Sequence, residues 1–322
     1  MPEMILDAFM AQLMSSARMT SENVIELRKN VFGDGVMTRG EAQMLLDLDR
    51  AATDKCAEWA PFLYEAISDY IVHQERPSGY ISQDNAVWLQ NTLAKDSTQT
   101  IVGLLVHVLE KAKSAPESLA TMGLNAVAKN VVANDGDVPH VSKSDVSMLR
   151  RILYAFGGLG NAGLSRAEVE VLFDLNDQTV AAYNDPEWND FFTKAIASYV
   201  LSFSGYVAPS REEALRQEVF VNDPSVNLSN FFSRMVSGGL SAIADSYSIP
   251  DGLEAAYAAK NAAFDAAQAD AEIVDEEEAK WVAERIGRDR IMHENERMLL
   301  KFLKQESSNI HPALQPLLDK VA

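Results

Sequence analysis

The chain has 322 residues, 47% of them hydrophobic, and a formal net charge of −19 at pH 7. This length suffices for two domains, and this hydrophobic content argues against a disordered chain. The acidic balance argues against nucleic acid and anionic membrane surfaces as partners, because contact with phosphate groups requires a basic face. The single cysteine, Cys56, can form no disulfide within the chain.

The N-terminal segment has the pattern of an amphipathic helix. Ile5, Phe9 and Leu13 recur at helical spacing, and Glu3 and Asp7 stand where a secretory signal would carry basic residues. No run of about 18 apolar residues occurs in the sequence, so we expect no transmembrane helix. These features predict a cytoplasmic protein.

Capping signals predict where several helices begin. Thr38 is followed three residues later by Glu41, and Ser165 is followed in the same way by Glu168. In such a capping box the hydroxyl and the carboxylate each accept a hydrogen bond from the other residue's backbone N–H. Ser144 is predicted to cap a further helix, which begins the second half of the chain.

The stretch from Asn30 to Tyr70 recurs between Phe156 and Tyr199. The matched residues keep the same order along both stretches: Glu41 with Glu168, Leu45 with Leu172, Asp47 with Asp174, Leu48 with Leu175, Trp59 with Trp188, Phe62 with Phe191, Ile67 with Ile196 and Tyr70 with Tyr199. Self-similarity of this kind indicates a duplicated structural unit. We therefore predict a first helical repeat at 1–133 and a second at 134–322.

The second copy is longer because it carries an insertion at about 208–273. The sequence around Trp88 resembles that around Trp281, which places the extra residues between these two points. An apolar stripe in the insertion has helical spacing and is interpreted either as core packing or as a partner surface: Phe231, Phe232, Met235 and Leu240. Strand patterns are nearly absent. The predicted fold is all-α, with two copies of a multi-helix module and a helical insertion in the second copy.

The loop that begins at Asn30 has part of the spacing of a calcium-binding loop. Counted from Asn30, Asp34, Thr38 and Glu41 fall at ligand positions 5, 9 and 12, and Gly35 falls at the glycine position 6. These side chains could hold a divalent cation weakly. Thr38 and Glu41 also fit the pattern of a helix cap. Both interpretations, a cation site and a helix cap, stay open at this point.

Two features make the loop degenerate as a metal site. Phe32 occupies position 3, where an oxygen ligand is needed. The second copy keeps only Asn161, Ser165 and Glu168 as oxygen-bearing side chains at ligand positions. Metal binding is therefore predicted for the first copy alone.

The sequence Asp-Gly-apolar-x-Thr-x-x-Glu between two helices resembles the tellurite-resistance TerB-like family of all-helical modules. The residues that carry the resemblance are Asp34, Gly35, Val36, Thr38 and Glu41, and it covers about the first seventy residues of each copy. The second copy departs from the pattern at Asn161 and Ala162. The resemblance implies a cation-associated module of bacterial stress-linked systems, with a metal at Asp34 and Glu41. The chain also resembles duplicated helical proteins of proteobacteria.

No sequence signature of a catalytic centre stands out. The five histidines form no HExxH motif, and the chain has no nucleophile elbow, phosphate loop or dinucleotide fingerprint. The leading hypothesis is a non-catalytic interaction or scaffold protein without a cofactor, which binds a protein partner through the insertion or the groove between copies. The alternatives are a weak cation-binding module and an enzyme with a site between helices.

Overall fold

The part of the chain that the structure describes is predominantly helical. A computed structural model describes residues 9, 11–31, 33, 35–36, 38–74, 76–133, 138–155, 164–201, 273–274, 276–286, 288, 291–307 and 309–321. Each strand in these residues is only two residues long, and the strands form two parallel pairs. The all-α prediction is confirmed. The predicted interaction residues of the insertion lie outside the described residues: Phe231, Phe232, Met235 and Leu240.

In the first half a helical segment at 11–16 precedes six further helices. They are α1 (Ser21–Glu26), α2 (Arg39–Ala51), α3 (Trp59–Asp69), α4 (Gln83–Leu93), α5 (Thr98–Lys111) and α6 (Ser118–Val132). π-Helical turns extend α1 and α3, at Leu27–Val31 and Tyr70–Gln74. Strand β1 (Arg18–Met19) pairs in parallel with β2 (Asp54–Lys55), which fastens the start of α1 to the segment before α3.

The second half follows with a similar set of elements. They are α7 (Lys143–Ala155), α8 (Arg166–Thr179), α9 (Pro186–Val200), β3 (Ile273–Val274), α10 (Glu276–Ile286), α11 (Glu294–Glu306), β4 (Asn309–Ile310) and α12 (Gln315–Leu318). Strands β3 and β4 pair in parallel. Short 3₁₀ turns flank α12, at Pro312–Leu314 and Asp319–Val321.

Both predicted capping boxes are present. The Thr38 hydroxyl accepts from the Glu41 N–H at 3.2 Å, and the Glu41 carboxylate accepts from the Thr38 N–H at 3.0 Å. Ser165 and Glu168 make the same two bonds at 3.3 and 2.7 Å. The prediction for Ser144 is wrong, because α7 begins at Lys143. Ser142 is the capping residue, since its hydroxyl accepts from the backbone N–H of Asp145.

The helices bury their apolar faces in one continuous core. Helix α3 packs on α5, α5 packs on α6 and α7, α6 packs on α7 and α8, and α9 packs on α11. Trp59 and Trp188, at the starts of α3 and α9, are both fully buried. Among the described residues, no helix combines the length and apolar character needed to cross a membrane.

Helices α3 and α5 approach each other closely at Gly103. A β-carbon at this position would lie 2.5 Å from Cε2 and 2.6 Å from Cζ of Tyr64. We expect Gly103→Ala to lower the free energy of unfolding by about 1–3 kcal/mol, because the Tyr64 ring must move in a packed interface. Urea denaturation measures this change.

Gly40→Ala is the matched control for Gly103→Ala. Gly40 lies in the first turn of α2, and the nearest atom to an added β-carbon would be the Thr38 hydroxyl oxygen at 3.9 Å. Alanine should therefore stabilise the protein here by up to about 1 kcal/mol, through its helix propensity. Equal effects at both glycines would contradict the close approach at Gly103.

Candidate functional site

The predicted cation loop is described only in part. Thr38 and Glu41 lie together and bond to each other as the cap of α2. Gly35 has φ +87°, a backbone conformation that glycine adopts without strain. Asp34 and the side chain of Asn30 lie outside the described residues. In the described part of the chain, no group of three or more His, Cys, Asp or Glu side chains is arranged to hold a metal ion.

Glu168, the capping carboxylate of the second half, is largely buried at 9% exposure. Burial raises the pKa of this carboxyl, against the lowering effect of its hydrogen bonds to Ser165. The carboxylate end of the cap therefore carries a desolvation cost whenever it is ionised.

The raised pKa of Glu168 predicts a pH-dependent contribution to stability. A carboxyl whose pKa is higher in the folded state contributes stability below its unfolded pKa, and this is lost as pH rises through the folded pKa. Glu168→Gln keeps an oxygen for the cap and cannot ionise. The wild type should lose stability relative to this variant as pH rises from the ordinary glutamate pKa towards neutrality. Urea denaturation across this pH range tests the effect, and parallel profiles would contradict it.

A buried carboxylate joins α2 to the start of α3. Asp49 is 6% exposed, and its Oδ1 accepts from the Trp59 indole N–H and from the Lys55 ammonium, each at 2.7 Å. The carboxylate thus satisfies the indole of a fully buried tryptophan and is itself paired with a cation. The adjacent Arg50 connects α2 to the end of α4 through Asp96, at 2.6 Å.

In the second half a buried arginine joins α8 to α10. The guanidinium of Arg285 on α10 contacts three carboxylates of α8: Glu170 at 3.2 Å, Asp174 at 2.9 Å and Asp177 at 3.5 Å. It also lies over the ring of Phe173, 4.9 Å from the centroid. The Arg285 side chain is 7% exposed, so these contacts are made largely away from water.

A groove of about 500 Å³ lies beside this arginine, lined by Arg166, Glu170, Trp281, Ala283, Glu284, Arg285 and Arg288. The indole N–H of Trp281 donates to Glu170 at 2.6 Å, and Arg166 lies over the Trp281 ring at 5.4 Å. Arg288 pairs with Asp174 at 3.3 Å. Because carboxylates already pair with these arginines, the groove offers no concentrated positive charge to an anionic ligand.

A second, smaller cavity lies at the C-terminal end of α8 and the first turn of α11. It has a volume of about 170 Å³ and is lined by Asn176, Val180, Ala182, Tyr183, Asn184, Asn189, His293, Glu294 and Asn295. Asn176 and Asn295 are buried, and each retains one polar atom without a hydrogen-bond partner. The lining is rich in carboxamides, which can recognise neutral polar groups.

Sequence analysis assigned no functional role to the residues of this cavity. Asn176 stands where the first of the two similar stretches has Asp49, and this change from a carboxylate to a carboxamide was the available signal. Sequence analysis also missed Arg285. This residue follows Trp281 by four positions, so the two side chains lie on one face of the helix. A cation beside a core tryptophan indicates a polar contact within the core.

Comparison with protein-family models, with curated proteins and with solved structures finds no match to this chain.

Proposed function

We propose that the chain is a non-catalytic interaction or scaffold protein of the cytoplasm, built from two copies of a TerB-like helical module. The observation that carries this proposal is the use of its buried charges. The buried charged side chains of the described residues all cap a helix or join two helices: Asp49, Asp145, Glu168, Arg285 and Glu296. These charged groups hold the helices at fixed positions, as a scaffold requires.

Contacts that occur in both halves support the duplication. Arg39 lies over Trp88 at 5.5 Å, and Arg166 lies over Trp281 at 5.4 Å. The N–H of Cys56 donates to the carbonyl of Met19 at 2.9 Å. The corresponding bond in the second half joins the N–H of Asp185 to the carbonyl of Val141, also at 2.9 Å. These pairs join equivalent elements, which is expected if both halves descend from one module.

The partner of such a scaffold should present a basic face. With a net charge of −19, the chain attracts positively charged surfaces over long range and repels acidic ones. We propose that the partner is a basic protein, bound through the insertion at about 208–273 or the groove between the two copies.

The experiment is crosslinked affinity purification from the native source, followed by reconstitution with the purified partner. The controls are an unrelated protein of equal net charge and a variant without residues 208–273. We expect one partner that reconstitutes with a salt-dependent dissociation constant, and weaker binding by the deletion variant. If no partner exceeds the charge-matched control, the scaffold proposal fails. Unchanged binding by the deletion variant would remove the insertion from the interface.

A second candidate function is weak divalent-cation binding at the first loop. The observation that favours it is the left-handed backbone of Gly35 at the glycine position of a calcium loop. The carboxylate of Asp69 lies nearby, 3.6 Å from where a β-carbon of Gly35 would be. We propose Asn30, Asp34, Thr38 and Glu41 as ligands. Binding would require Glu41 to turn away from the Thr38 N–H.

Calorimetric titration with Ca²⁺, Mg²⁺ and Zn²⁺ tests this site. We expect weak binding by the wild type that Asp34→Asn reduces, together with a rise in melting temperature at saturating cation. Asn161→Ala, in the matching loop of the second half, is the control and should leave the heat unchanged. No heat above buffer and no melting shift would exclude the site.

A further inference from the structure

The cavity between the end of α8 and the start of α11 contains an incomplete hydrogen-bond network. The side-chain Nδ2 of Asn295 donates to Oδ1 of Asn176 at 2.7 Å. Nδ2 of Asn176 and Oδ1 of Asn295 then remain without a partner. Both residues are more than nine-tenths buried, at 2% and 7% exposure. A buried polar group without a hydrogen bond destabilises the folded protein, so the folded state gains when a ligand or water completes the network.

The missing partner must both accept and donate a hydrogen bond. One free atom of the amide pair is a donor and the other is an acceptor. Reversing both amides exchanges these roles but still leaves one of each. The two free atoms belong to the two amides of one hydrogen-bonded pair. A hydroxyl group fits this requirement, because it accepts at its oxygen and donates its proton.

The surroundings of the cavity favour a neutral ligand. Glu294 lines it directly, and Glu296 occupies the same first turn of α11 as the capping carboxylate. These carboxylates oppose the attraction of the helix N-terminus for anions. No lysine or arginine belongs to the lining described above, and His293 is the one side chain of that lining that can carry a positive charge.

Tyr183 supplies an apolar face beside the polar groups. Its side chain is fully exposed although it lines the cavity. An exposed aromatic ring next to buried amides can cover the C–H face of a ring-shaped polyol while the amides bind its hydroxyls. At about 30 Å³ for each water, the volume of about 170 Å³ holds five or six waters, comparable to one sugar ring.

We propose that this cavity binds a neutral polyhydroxylated ligand of monosaccharide size, with hydroxyl groups on Asn176 and Asn295 and a ring face on Tyr183. The site is separate from the proposed scaffold function and does not depend on it.

Saturation-transfer NMR and calorimetry with glucose, N-acetylglucosamine and myo-inositol test this proposal on the full chain. Glucose 6-phosphate is the charged probe. We expect saturable binding of at least one neutral probe and weaker binding of the phosphate. Absence of saturable binding of all neutral probes up to their solubility would mean that water alone fills the cavity, and would overturn the proposal. Tighter binding of glucose 6-phosphate would also overturn it, in favour of an anion site.

Two variants locate the binding. Tyr183→Ala should weaken it about two- to tenfold through loss of the ring face, and it should fold normally because the side chain is exposed. Tyr154→Ala removes another exposed tyrosine, on α7 outside the cavity lining, and should leave binding unchanged. Asn295→Leu should abolish binding, with its melting temperature measured alongside to establish folding. Equal binding by the wild type and Tyr183→Ala would place the ligand elsewhere and refute the site.

Discussion

Arg285→Ala is expected to lower the free energy of unfolding by about 3 kcal/mol, because it removes the cation from a largely buried ion-pair cluster. Glu170, Asp174 and Asp177 would then face one another without their shared counter-charge. The packing of the guanidinium on Phe173 would be lost as well. The expected loss is at the lower end of the range for breaking a buried ion pair. The reason is that the three carboxylates are about one-third to one-half exposed, so water partly screens them. Urea denaturation measures this loss.

Arg28→Ala is the matched control for Arg285→Ala. Arg28 pairs with Glu65 at 2.7 Å, and both side chains are more than half exposed. Exposed pairs contribute up to about 1 kcal/mol, so this variant should unfold close to the wild type. Arg285→Met separates charge from packing, because it keeps much of the contact with Phe173. A loss in Arg285→Ala no larger than in Arg28→Ala would contradict a stabilising role for the cluster.

Asp49→Ala is expected to lower the free energy of unfolding by about 3 kcal/mol, because it breaks two hydrogen bonds and leaves a buried donor unpaired. The indole N–H of Trp59 would lose its acceptor in a fully buried position, and Lys55 would lose its counter-charge. Asp49→Asn keeps an acceptor for the indole and should cost about 1 kcal/mol through loss of the ion pair alone. Urea denaturation of both variants separates the two contributions.

Asn176→Ala is the control in the second half. Asn176 accepts one bond, from Asn295, and its own Nδ2 already lacks a partner. Asn176→Ala should therefore lower the free energy of unfolding by about 1–2 kcal/mol less than Asp49→Ala does. A larger loss for Asn176→Ala than for Asp49→Ala would show that the amide pair is better satisfied than its geometry indicates.

The two halves differ in how completely they satisfy their buried polar groups. In the first half the indole N–H of Trp59 donates to Asp49. In the second half the indole N–H of the equally buried Trp188 has no hydrogen-bond partner. A strained or unsatisfied polar group in a folded protein persists when the surrounding packing outweighs it or when a ligand completes it. The unsatisfied amide pair of Asn176 and Asn295 lies in the same half as Trp188.

Helix positions and caps could be predicted from the sequence because they depend on neighbours in the chain. Thr38 with Glu41 and Ser165 with Glu168 are separated by three residues, and the bonds they form close within one helical turn. Ser144 was assigned as a cap where Ser142 serves, since a second serine two residues earlier competes for the same role. Local signals of this kind locate a helix start to within one or two residues.

The roles of the polar residues could not be predicted in the same way. Asp49 and Asp47 stand two residues apart on one helix, yet the first is buried beside Trp59 and the second is partly exposed beside Arg50. Which of them faces the core depends on how α2 rotates against α3 and α4, and this rotation is decided by the fit of apolar side chains.

By itself, the sequence determined the helical class, the capped helix starts and the acidic surface, because composition and the 3.6-residue period are local properties. Only the tertiary structure decided which polar side chains meet. Arg285 and Asp174 are 111 residues apart, and Asn176 and Asn295 are 119 apart. Helix packing brings these groups within hydrogen-bond distance, and the same packing leaves the amide pair with one free donor and one free acceptor.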